Sequence, residues 1–93
     1  MTKYEKINSL ELVPDSRILK SSPLKNEFKK HYRNAACYQG SNSKGMIEIL
    51  MLKNDNTALV AWQGWNNGQV VTIIADNEIE ALNKYYEHIE ESE

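Results

Sequence analysis

From residue 46 onward apolar and polar positions follow the period of strands. The stretches 46–53, 57–65 and 69–75 are rich in β-branched, aromatic and leucine residues, and Asn54-Asp55-Asn56 and Asn66-Asn67-Gly68 between them are turn formers. The pattern predicts a three-stranded antiparallel meander. Upstream the period is helical. Ser22-Pro23 sets a cap residue before a proline at the first helical position, and Leu24, Phe28 and Tyr32 with Ala35 and Ala36 then form an apolar stripe. Helix one is therefore expected over 23–37, ending at the loop-like Gln39-Gly40-Ser41-Asn42-Ser43. After the strands, Asp76 or Asn77 caps a second helix over 77–91, with Glu78 and Glu80 in its first turn and Ile79, Leu82, Tyr86 and Ile89 at helical spacing.

The first twenty residues are ambiguous. Tyr4, Ile7 and Leu10 follow a helical step, whereas Leu10 and Leu12 alternate until Pro14 ends any regular element, so this segment is a short helix or an edge strand. The whole chain reads as one small α+β domain over 1–93, with an N-terminal segment 1–20 and an αβββα core over 23–91. Both helices are expected on one face of the meander.

Turn chemistry predicts a register. A two-residue turn at Asn67-Gly68 sets Trp62 opposite Ile73 and Val60 opposite Ala75, and a like turn at Asp55-Asn56 sets Met51 opposite Val60 and Ile49 opposite Trp62. Alternation then sorts the sheet. One face collects Ile47, Ile49, Met51, Val60, Trp62, Val71, Ile73 and Ala75, all apolar. The other carries a polar row, Glu48, Gln63 and Thr72, flanked by Leu50, Leu52, Leu59, Ala61, Trp65, Val70 and Ile74. Trp62 is thus a core residue. Trp65 projects the opposite way, near the hairpin tip, with residues 1–20 (Tyr4, Ile7, Leu10, Leu12, Ile18, Leu19) expected to cover the rest of that outer face.

The order helix, three strands, helix is similar in layout to the double-stranded RNA-binding domain. That family has a Gly-Pro-x-His-type loop and a lysine-rich start to its last helix. Here those stretches read Asn54-Asp55-Asn56 and Asp76-Asn77-Glu78-Ile79-Glu80, which repel phosphate. The likeness is one of topology and carries no site residue.

Composition narrows the class. Hydrophobic residues make up 41% and charged residues 26% of 93, an ordinary globular balance far from that of disordered chains. No apolar run reaches the ~18 residues of a membrane span, the N-terminus lacks a hydrophobic signal core, and the single Cys37 cannot form an internal disulfide. A cytoplasmic protein is expected. Lysine outnumbers arginine nine to two, and asparagine, lysine and isoleucine supply 27 residues, a bias toward A/T-rich codons that associates the chain with a phage or mobile element.

Charge is divided along the chain. Residues 1–45 carry nine basic against four acidic side chains, a net +5, and residues 46–93 carry two against nine, a net −7. One basic and one acidic surface are expected. On helix one Lys25, Lys29 and Arg33 follow at i, i+4 and i+8, with Lys30 alongside and Lys44 in the following loop, a set able to grip phosphates.

Catalytic chemistry is not indicated. A six-residue spacing of His31 and Cys37 on a helix puts thiol and base on different faces, His88 among the glutamates of helix two reads as a solvated histidine and not a metal ligand, and Glu87, Glu90, Glu91 and Glu93 form a solubilising acidic tail. No glycine loop suits a phosphate, and no cofactor or metal is implied. The expectation is a non-enzymatic module, an inhibitor or modulator that docks on a protein through Trp65, Asn66, Asn67 and Gln63. The alternatives are nucleic-acid binding through Lys25, Lys29, Lys30, Arg33 and Lys44, and a ligand-binding protein or hydrolase with its site at an oligomer interface. Self-association through the outer sheet face is a further expectation. Trp62→Ala should cost about 3–5 kcal/mol in denaturant melts and Trp65→Ala clearly less, since only the first empties the continuous apolar face.

Overall fold

The computed structural model describes residues 7, 9–13, 24–31, 34–42, 45–63 and 70–91. Along the chain these form β1 (Glu11–Val13), α1 (Lys25–Lys30), β2 (Ala35–Asn42), β3 (Gly45–Leu52), β4 (Thr57–Gln63), β5 (Val70–Ile74) and α2 (Glu78–Glu91). The strands make one antiparallel sheet in the order β1-β2-β3-β4-β5. The fold is α+β, and the predicted meander is its β3–β5 part.

Two strands exceed the sequence expectation. β1 is the edge-strand alternative for the N-terminal segment. β2 occupies residues that the helical spacing assigns to the end of helix one and to a loop. Beyond Tyr32, which lies outside the described residues, that spacing rests on two alanines, which have little apolar surface to bury. Pairing with β3 along the whole strand, from Ala35 opposite Leu52 to Asn42 opposite Gly45, outweighs it. At the hairpin, Gly45 N–H donates to Asn42 Oδ1 at 3.2 Å. With β2 inserted between helix and meander, the element order departs from that of the double-stranded RNA-binding domain.

The predicted registers are displaced, by even numbers. β3 and β4 pair Ile49 with Val60 and Leu52 with Thr57, so four residues, 53–56, make the turn. Asn56 adopts φ 38°, a left-handed conformation that asparagine tolerates, and Lys53 N–H is drawn to Asn34 O at 2.8 Å. β4 and β5 pair Val60 with Val71 and Ala61 with Val70, four residues from the register of a two-residue Asn67-Gly68 turn. An odd slip would exchange the faces, whereas an even one preserves them.

The predicted core face therefore holds. Ile47, Ile49, Val60, Trp62, Ile73 and Ala75 are buried in one cluster, with Met51 and Val71 half-buried at its margin. α2 closes it with Ala81, Leu82, Tyr85 and Tyr86. Its N-terminus is capped by Asn77, whose Oδ1 accepts from Glu80 N–H at 2.8 Å.

α1 does not share that face. Its Leu24 and Phe28 pack with Val13, Cys37, Leu50 and Ala61 in a second buried cluster on the outer face. The two helices lie on opposite sides of the sheet. The reason is the added β-structure: Val13 and Cys37 enlarge the apolar patch around Leu50 until it needs a cover of its own.

The N-terminal segment also departs from expectation. Ile7 and Leu10 pack into the inner cluster, not the outer face, while Val13 turns to the outer one and Leu12 is exposed. Tyr4, Ile18 and Leu19 fall outside the described residues. Ile7 N–H donates to Tyr86 Oη at 2.6 Å, tying this strap to α2. The strap passes so close to β2 that a Cβ on Gly40 would stand 2.7 Å from both Ile7 Cγ2 and Ser9 O. Only glycine leaves room for that crossing.

Tyr86 links this packing to pH. Burial, opposed by the Ile7 hydrogen bond, raises its phenol above the ordinary value of 10.0. The unfolded phenol then ionises first, so the stabilisation is complete below that value and is lost as pH rises through the folded one. Tyr86→Phe should cost roughly 1–3 kcal/mol near neutral pH by stripping the acceptor from the buried Ile7 N–H. Urea melts across pH 7 to about 11 should show the variant losing less stability than the native chain on the alkaline limb.

Candidate functional site

The outer sheet face is where the fold leaves apolar surface open. α1 covers its β1–β4 portion, and β5 continues beyond that cover. The outer side chains of β5 are Val70, Thr72 and Ile74, opposite Ala61, Leu59 and Thr57 of β4. All three are exposed, Val70 by 37% and Ile74 by 64% of their surfaces. No charge lies in this strand, and β5 ends the sheet, so one of its backbone edges has no strand beside it among the described residues.

The hairpin-tip site expected from sequence is Trp65, Asn66, Asn67 and Gln63. Trp65, Asn66 and Asn67 lie outside the described residues. Gln63 ends β4, its backbone paired with Met46. Trp62 is fully buried, in agreement with the face assignment. What the sequence reading passed over is Ile74, assigned there only to a mixed flank of the outer face. The signal was present: an uncharged run from Gln69 to Ala75 before a capped helix, in a chain one quarter charged.

The basic set is dispersed. Lys25, Lys29 and Lys30 sit on α1, with Lys29 and Lys30 exposed. The helix ends at Lys30, before Arg33, so no i+8 position continues the face; Arg33 and Lys44 lie outside the described residues. Acidic α2 stands across the sheet. Its Glu80 carboxylate is held below the usual range, mainly by its hydrogen bond to Lys84, whose Nζ is 3.0 Å away.

One polar group of the outer face is buried. Glu48, on the outer side of β3, is fully enclosed. The register sets it opposite Gln39 and Ala61, not Gln63, and Gln39 Nε2 donates to its Oε2 at 2.9 Å. Beside Gln39 a hollow of about 220 Å³ is lined by Ser9, Glu11, Gly40, Ser41 and Met46, smaller than the ~300 Å³ at which ligand pockets begin. A second open hollow, about 320 Å³, lies between Tyr38, Met51, Asn56 and the start of α2. There partial burial, and then the Glu78 carboxylate, raise the Tyr38 phenol, which stays protonated at neutral pH.

His31 and Cys37 do not share a helix. His31 closes α1 near Glu27 (3.7 Å), and Cys37 is a buried β2 residue packed against Leu24, Phe28 and Leu50. Among the described residues no three His, Cys, Asp or Glu side chains are grouped to hold a metal, and no helix is long and apolar enough to cross a membrane. Gln39→Ala, which removes a donor from the enclosed Glu48 carboxylate, should destabilise the chain by about 1–3 kcal/mol in urea melts. No family model, curated protein or solved structure matches the chain.

Proposed function

We propose that the chain is a non-enzymatic protein-binding module that docks through the outer row of β5, Val70, Thr72 and Ile74, extended by Gln63, Trp65, Asn66 and Asn67 of the preceding hairpin. The observation that carries this reading is the exposure of Val70 and Ile74 on the same face of a strand without charge. Soluble domains cover such rows or use them, and aliphatic groups flanked by hydroxyl and amide side chains suit the core and rim of a protein interface. Modulation or inhibition of the partner by covering its surface is the form of activity that needs no catalytic group.

A second reading, phosphate binding by Lys25, Lys29 and Lys30, draws on the exposure of Lys29 and Lys30 on the face away from acidic α2. The two readings separate by mutation and salt. Capture from the source cells, with and without nuclease, should retain a protein that Val70→Asp with Ile74→Asp loses and that a triple Lys25, Lys29 and Lys30→Glu variant keeps. Affinity for that protein should fall by roughly 30-fold or more in the first variant, about 2 kcal/mol. A nuclease-sensitive partner, with affinity falling steeply between 50 and 200 mM salt and abolished by the lysine reversals, would overturn the protein-docking reading.

A further inference from the structure

The backbone of β5 carries a pattern that goes beyond the docking of its side chains. Ala75 N–H donates to Asn56 O at 3.0 Å, continuing the β4–β5 ladder by one rung. Hydrogen-bonded and non-bonded pairs alternate in an antiparallel ladder, so residues 71, 73 and 75 turn their backbone groups toward β4, and Val70, Thr72 and Ile74 turn theirs to the open edge. Lys84 gives an independent sign of the same phase: its Nζ reaches Ile74 O at 2.7 Å, a carbonyl that β4 does not take.

We propose that two copies of the chain pair antiparallel along β5 about a twofold axis at Thr72, joining their sheets into one of ten strands. The phase permits it, because the residue on the axis presents both N–H and C=O outward. Thr72 then pairs with Thr72 of the second copy, and Val70 with Ile74 on either side, giving roughly six new hydrogen bonds. Each pairing is favourable on the outer face: Thr beside Thr, and a valine beside an isoleucine twice. A carbonyl has two lone pairs, so Ile74 O accepts from the second copy and keeps Lys84.

Charge selects this edge and this occupant. α1 presents Lys25, Lys29 and Lys30, α2 presents Glu78, Glu80 and Glu87, and self-contact through either helix would set like charges together. β5 brings no charge to the axis. The opposite edge is blunted, since β1 has three residues, carries Glu11 and is followed by Pro14, whereas β5 has no charge, proline or bulge within the strand, and the Lys84 ammonium stands at its Ile74 end, away from Thr72. A second copy supplies a strand of the same length, the same neutrality and the complementary phase. The edge spans only roughly 17 Å, less than the ~800 Å² per partner of a standard stable interface requires, so the pairing is reversible. It leaves Val70 and Ile74 on the sheet surface and doubles the row offered to a partner protein.

Sedimentation velocity on the full chain from about 5 to 500 µM should show a monomer passing to a dimer. Thr72→Pro should remain monomeric throughout with an unchanged far-UV spectrum, since it removes an outward N–H that no strand among the described residues uses, while Val71→Pro, which breaks a bond to β4, should unfold. Amide exchange followed by NMR gives a readout without mutation: protection of Val70, Thr72 and Ile74 should rise with protein concentration, while that of Val71 and Ile73 should be high throughout. A native chain monomeric to 500 µM, a Thr72→Pro dimer as tight as the native one, or outward amides indifferent to concentration would each overturn the proposal. Partner capture by the native chain held below its dimerisation concentration tests the docking reading separately, since that reading needs the side-chain row and not the dimer.

Discussion

The fold depends on a central strand that is buried on both sides. In β3, Ile47 and Ile49 face one way and Glu48 and Leu50 the other, and none has any surface in contact with solvent. A strand in that position cannot belong to a two-layer protein with one wet sheet face. Each side must find its own cover, and the chain supplies two: α2 with the strap at Ile7 and Leu10 for the inner face, α1 with Val13 for the outer one. The opposite placement of the helices follows from this requirement. So does the separation of the basic helix from the acidic one by the thickness of the sheet.

Cover on the outer side is incomplete, and that is where function is sought. α1 is six residues long and offers Leu24 and Phe28, enough for Val13, Cys37, Leu50 and Ala61 but not for the last strand. The same shortness explains how Glu48 is tolerated. A carboxylate enclosed beside two aliphatic clusters is costly unless hydrogen-bonded, and the strand that displaces the end of the predicted helix also brings Gln39 to it. β2 thus supplies apolar residues to both faces and a donor to the buried acid. β5 lies outside that arrangement, and its exposed row and open edge are the surface on which the proposed docking and self-pairing depend.

The faces of residues 47–52, 59–62 and 70–74 were legible because side-chain direction depends only on parity, and neither displaced register changed it. Trp62 in the core, a helix cap at Asp76 or Asn77 and, to within a residue, the bounds of α2 were legible for similarly local reasons. The register was not. A turn of two residues and one of four differ by the backbone state of Asn56 and by the reach of Lys53 to Asn34, which belongs to a different hairpin. Of the candidate site, Val70, Thr72 and Ile74 were correctly placed on the outer face, but their exposure depends on how far α1 extends.

What the sequence determined by itself is therefore periodic and local: three strands with their faces, a capped C-terminal helix, a buried Trp62, and a division of charge along the chain. Tertiary structure decided the rest. It made a strand of Ala35–Asn42, sent α1 and α2 to opposite sides, and passed the N-terminal strap over Gly40 to Tyr86. The physical reason is common to all three. A segment with weak local preference, two alanines or a glycine among polar residues, takes whatever conformation the rest of the sheet rewards, and that reward comes from ladder bonds and burial contributed by residues distant in sequence.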